Sequence, residues 1–248
     1  MPFALNPALD PAGAAEHFAR HGRVQVRDVL DAESADRLSE CLLRKVPWSF
    51  TYYDDQGAAV IEHANLSKLS PQDMQSLQRR VFNHATGGFG YAYGLYHMDA
   101  SARPTTDACA PIHEFFEFLQ SPQMMDLVRT VIGDPTPVMV DAQATQFGPG
   151  NFLSYHNDLM PKANRRCAYV FNITRNWRPD WGGYLQFFDE RGNGSDAFMP
   201  NFNALNLFRV PQPHAVTYVP PFARGVRQAV SGWYRGPELD EATAGAKP

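Results

Sequence analysis

His156-Asn157-Asp158 sets an imidazole and a carboxylate two residues apart. On an extended segment residues i and i+2 project from one face, so both groups can reach one metal ion. Alone, the triplet says little: with 8 His and 26 acidic residues in 248, roughly 0.8 His-x-acid triplets arise by chance, and a second, His97-Met98-Asp99, is present. A facial iron site needs two histidines and one carboxylate, with the opposite positions open. For His156 and Asp158 the second histidine is His214, 58 residues on (214 − 156), at the start of the run HAVTYV. Arg227 follows 13 residues later (227 − 214) and opens RQAVSGWY, in which Arg227, Ala229, Ser231 and Trp233 share one strand face. A guanidinium there can grip a carboxylate through two parallel hydrogen bonds, which points to a dicarboxylate cosubstrate.

A rival set, His97, Asp99 and His156 with Arg165 or Arg166, has nearly the same spacing (156 − 97 = 59). Spacing leaves both sets open, and the elements between the ligands separate them. Residues 111–133 read as two short helices, the second opened by Ser121-Pro122 and closed by Gly133. Residues 158–214 instead supply the short β-rich runs that a barrel needs to bring strand ends together. From residue 136 onward TPVMVDAQATQF, CAYVFNI, YLQFF, ALNLFRV, HAVTYV and RQAVSGWY alternate with Gly, Pro, Asn and Asp, the texture of a jelly-roll sandwich or barrel.

Upstream, residues 24–30 alternate as a strand, and Asp31 caps a helix whose Ala35, Leu38 and Leu42 share a face. FTYY and AVIEHA flank Asp54-Asp55-Gln56-Gly57 as a hairpin. Ser70-Pro71-Gln72-Asp73 opens another helix with Met74, Leu77 and Val81 at helical spacing. Phe89, Tyr91 and Tyr93 alternate as a strand face with Tyr96 nearby. Such a stripe ordinarily packs in a core. Gly87, Gly88, Gly90 and Gly94 leave room for a mobile lid, and Tyr91 and Tyr93 are candidates for substrate contact. The expected fold is mainly β with supporting helices, one domain over 1–248: a strand and helix support layer (1–135), a jelly-roll catalytic core (136–236) and a loose tail (237–248).

Composition bounds the function. With 44% hydrophobic and 12% aromatic residues the chain can bury a large core. A net charge of −4 argues against a nucleic-acid partner. No stretch approaches a membrane span, no secretory leader opens the chain, and three cysteines without a CxxC spacing suit a reducing compartment. A cytoplasmic location and no membrane partner are expected.

SYHND, WRPDWGG, PNFNALNLFRVPQPHAV and RQAVSGWYR resemble the Fe(II)- and 2-oxoglutarate-dependent oxygenases of the prolyl 4-hydroxylase-like branch. The chain looks most similar to bacterial relatives of the ribosomal-protein prolyl hydroxylases, chiefly over residues 140–236. The resemblance implies a double-stranded β-helix in which His156, Asp158 and His214 bind iron and serve catalysis. It implies that Arg227 pairs with the distal carboxylate of 2-oxoglutarate, that Ser231 and Trp233 line its pocket, and that Leu153 forms an apolar wall. Dioxygen is the third reactant, and the retained carboxylate of Asp158 favours hydroxylation over halogenation. Related enzymes often present a tyrosine hydroxyl to the cosubstrate five residues before the position of Trp177. This chain has Asn172 there, whose amide can also donate to a carboxylate. Arg165 and Arg166 are candidates for holding substrate carbonyls, or else form a solvated strand start. The implied activity is hydroxylation of a prolyl residue in a protein or peptide, with a free amino acid or other small molecule as the alternative substrate. A non-catalytic cupin-like metal-binding module and a zinc hydrolase are the readings from other classes, and the hydrolase leaves Arg227 without a role.

Overall fold

The computed structural model describes residues 2–98 and 107–239, so Asp99 of the rival ligand set and most of the expected tail lie outside the described residues. Helix α1 (Pro11–His21) starts at Asp10, whose side chain accepts from the Ala12 and Gly13 amides. Sequence reading missed this helix, although Asp10-Pro11 is an ordinary opening signal. Strand β1 (Arg23–Arg27) is shorter than expected because Asp28 turns the chain at φ 52°. Asp31 caps α2 (Ala32–Arg44), and β2 (Ser49–Asp54) and β3 (Gly57–Ile61) form the expected hairpin. The hairpin ends at Ile61, and His63–Leu66 is a single helical turn, α3. Ser70 and Asp73 complete a capping box for α4 (Pro71–Ala85). After β4 (Tyr91–His97) come α5 (Ala110–Leu119) and α6 (Pro122–Ile132), the latter closed by Gly133 in the left-handed conformation.

The remaining strands are β5 (Met139–Val140), β6 (Gln143–Phe147), β7 (Phe152–His156), β8 (Arg165–Asn172), β9 (Leu185–Phe188), β10 (Gly194–Phe198), β11 (Ala204–Arg209), β12 (His214–Val216) and β13 (Arg227–Arg235). They form one antiparallel sheet in the order β1-β11-β8-β13-β6-β4-β7-β12-β9-β10, which folds into a nearly closed barrel. This is the jelly-roll architecture expected from the sequence.

The two faces of each central strand explain the sequence pattern. Cys167, Tyr169 and Phe171 of β8, with Leu205 and Leu207 of β11, pack beneath α1, α2, α5 and α6 in the main hydrophobic cluster. Ala168, Val170 and Phe208 point the other way, into the barrel. With both faces covered, β8 is buried from Cys167 to Asn172. The N-terminal part does more than support: β4 inserts between β6 and β7, so residues upstream of 136 complete the barrel wall.

Candidate metal centre and cosubstrate pocket

His156 ends β7 and His214 begins β12, and the two are direct partners in the antiparallel register. That pairing turns a separation of 58 residues (214 − 156) into a ring distance of 4.1 Å. Asn157 then makes a tight turn by accepting from the Leu159 amide, and Asp158 adopts φ 62°, a left-handed conformation that aspartate tolerates better than most residues. The carboxylate is thereby turned back toward both imidazoles, at 3.4 Å from His156 Nε2 and 3.5 Å from His214 Nε2. The three ligand atoms lie within 4.8 Å of one another. Neighbouring ligands of an octahedral ion, each at about 2.1 Å, would be about 3 Å apart, so the site needs only a small contraction to hold one.

Each histidine is fixed for this task by its other nitrogen. His156 Nδ1 lies 2.8 Å from the Ser154 carbonyl and His214 Nδ1 lies 2.7 Å from the Gln212 carbonyl. A carbonyl can only accept, so Nδ1 carries the proton and Nε2 is left as the lone-pair donor aimed at the site. Burial, reinforced by His156, pushes His214 down to about 4, which keeps it neutral at pH 7. Burial pushes the Asp158 carboxyl up, but the two histidines outweigh it and hold it below the ordinary carboxylate range. Two imidazoles and one carboxylate with an open side are the donor set that ferrous oxygenases use.

The triad opens onto a cavity of about 290 Å³, the lower end of small-molecule sites. Arg227 lines it too, 2% exposed, with Nε and Nη1 lacking any hydrogen-bond partner among the described residues. Burial pushes this guanidinium down to about 10. Its plane lies over the Phe147 ring at 5.1 Å, and Nη2 donates to Asn172 Oδ1 at 3.4 Å. Buried donors without partners are uncommon, and two on one cation leave it able to donate to an anionic group. The glycines of WRPDWGG build the cover: Gly182 and Gly183 have φ 61° and 67°, and a Cβ at 183 would meet the Trp177 ring at 3.3 Å and Arg227 Cδ at 3.4 Å.

Ser231, Trp233 and Leu153 line the cavity, as do Tyr91 and Tyr93. The aromatic stripe of β4 is therefore a cavity wall within the sheet rather than a packed core. Tyr93 stacks on Phe147 at 4.9 Å, Tyr91 lies 5.5 Å from Tyr93, and Phe89, 40% exposed, stands at the mouth 5.9 Å from His156. Asn172 does not line the cavity and turns its oxygen to Arg227 instead of offering its amide to a ligand. Arg165 stacks on Trp233 at 3.5 Å and donates to the Asp158 carbonyl, bracing the metal loop. Arg166 points elsewhere and pairs with Asp134 at 2.8 Å. His97 is exposed at the end of β4, and among the described residues only His156, Asp158 and His214 converge as a metal-binding group. Phe147, Thr145, Gln143 and Phe208, missed in the sequence, are further wall residues; alternation along QATQF and LNLF was their only signal.

Residues 142–235 match the model of the 2OG-Fe(II) oxygenase superfamily, a family that implies Fe(II), 2-oxoglutarate and O2. Among solved structures, a prolyl-4-hydroxylase from Pseudomonas putida is similar with a TM-score of 0.60 at 17% identity, over 92% of this chain and 99% of that one. A prolyl hydroxylase from Trichoplax adhaerens, solved with a hypoxia inducible factor oxygen degradation domain peptide, matches at 0.60 and 14% over 91% and 89%. A non-heme alpha ketoglutarate dependent epimerase from nogalamycin biosynthesis matches at 0.52 and 12% over 96% and 93%. No curated protein matches significantly. The matched segment carries all three candidate ligands and Arg227, and the fold is similar to that of solved prolyl hydroxylases.

Proposed function

We propose that the protein hydroxylates a prolyl residue in a protein or peptide, with His156, Asp158 and His214 holding Fe(II) and Arg227 holding the distal carboxylate of 2-oxoglutarate. The observation that carries this reading is the buried Arg227 guanidinium, with two N–H donors unpartnered among the described residues, in the cavity that the triad also lines. A zinc hydrolase or a passive metal-binding module has no use for that cation.

When bound, iron and 2-oxoglutarate activate dioxygen for C–H hydroxylation as 2-oxoglutarate becomes succinate and carbon dioxide. The chain's part is to bind, orient and keep water out. Arg227 fixes one end of the cosubstrate, and the triad fixes where the other must reach. Leu153, Val170, Val216 and Phe208 give the space between them apolar walls, which exclude water from a reactive centre. Phe89 and Tyr91 offer flat apolar rings beside His156 at the mouth, a surface suited to a pyrrolidine ring. Arg165 holds the loop that carries Asp158 by donating to the Asp158 carbonyl. Three buried free thiols, Cys41, Cys109 and Cys167, suit work in a reducing cytoplasm.

The test is incubation of the purified protein with Fe(II), 2-oxoglutarate, O2 and a proline-containing peptide library. Mass spectrometry should find one added oxygen at proline and an equal amount of succinate. Succinate coupled only to a free amino acid or other small molecule would overturn the substrate assignment, and none with any substrate would overturn the activity.

A further inference from the structure

In the wall of the cavity a cation is held without being neutralised. Arg227 is 2% exposed, and burial alone perturbs it, with no opposing carboxylate. Its one side-chain hydrogen-bond partner among the described residues is Asn172, itself fully buried, which accepts from Nη2 at 3.4 Å. Asn172 pairs with Ala229 in the register of β8 on β13, one pleat from Arg227 on the same face. Because arginine has only donors, the oxygen of the amide must face it. The Asn172 nitrogen is turned back toward the Val170 carbonyl of its own strand, 3.5 Å away.

An aspartate would have the same shape at this position but would cancel the charge. We infer that Asn172 is a positioning residue that orients the Arg227 guanidinium through a neutral acceptor, reserving its positive charge for the dicarboxylate. This rests on the proposed function and gives residue 172 the task of keeping the pocket cationic, in place of the direct cosubstrate contact expected from the sequence.

Asn172→Asp in the full-length protein tests the inference, with 2-oxoglutarate affinity measured by anaerobic calorimetry on Mn(II)-loaded protein and melting temperature measured without cosubstrate. The internal ion pair should leave the melting temperature at or above wild type while 2-oxoglutarate binds about 100-fold more weakly. These opposite signs distinguish positioning from a merely structural role, in which both would fall together. Wild-type binding combined with Asn172→Asp affinity within about threefold of it overturns the inference alone. Absence of binding by the wild type overturns the proposed function and this inference with it. If the aspartate variant does not fold, Asn172→Leu decides: it should bind 2-oxoglutarate about tenfold more weakly with Mn(II) affinity unchanged, and unaltered cosubstrate affinity overturns the inference.

Discussion

Replacing Arg227 with methionine separates a binding role from a structural one. Burial lowers the guanidinium from its ordinary value to about 10, a penalty on its charged form in the native state of about 3 kcal/mol. A cation with a lower pKa folded than unfolded destabilises the native state at every pH below about 10, with relief only as pH rises past that value. Methionine removes that penalty and keeps the length of the stem. Against it, Asn172 Oδ1 loses its donor inside the protein, which costs about 1–3 kcal/mol, and the cation over Phe147 is lost, about 0.5–2 kcal/mol. The terms nearly cancel, so the cosubstrate-free melting temperature should stay within about 5 °C of wild type. Cosubstrate binding should respond very differently, since loss of a buried charged pair costs about 2–5 kcal/mol, or roughly 30-fold to several thousand-fold in affinity. Thermal unfolding and 2-oxoglutarate titration on the same preparation give both numbers. A melting temperature lowered by more than about 10 °C with near-wild-type 2-oxoglutarate affinity would refute the reasoning and make Arg227 a structural residue.

Asp158→Ala should abolish succinate formation by opening the metal site, and succinate at the wild-type rate would refute the ligand assignment. Stripping the metal with a chelator should lower the melting temperature by roughly 5–10 °C if the ion is present at about 100 times its dissociation constant; scanning calorimetry with and without Fe(II) under nitrogen measures this. Phe89→Ala should raise KM for a peptide substrate about 3- to 10-fold with 2-oxoglutarate affinity unchanged, and the reverse pattern would remove the mouth aromatics from substrate contact. Gly182→Ala should destabilise by about 2–4 kcal/mol in urea unfolding, because its Cβ would sit 2.0 Å from the Tyr218 carbonyl oxygen at φ 61°.

Local chemistry was the readable part of this chain. Asp31, Ser70 and Ser121 cap helices where the sequence places caps, and Gly133 ends α6, because a cap needs only the next three or four residues. Helix α1 was just as local, and its Asp10-Pro11 opening was overlooked. The stripe at Phe89, Tyr91 and Tyr93 was not resolvable by such rules. Alternation states that three rings share a face, while the neighbours of β4 decide whether that face meets a core or a cavity.

By itself the sequence offered two candidate ligand sets with an arginine for each, since spacing within a strand sets the face on which each group emerges, and the β-rich runs between His156 and His214 favoured one of them. Only the tertiary structure decided that His214 pairs with His156, that β4 closes the wall between β6 and β7, and that Asn172 faces the guanidinium and leaves the cavity to others. Those outcomes depend on register between strands distant in sequence and on the absence of a counter-charge around Arg227. Both are properties of what packs against a residue, and side-chain type and spacing do not encode them.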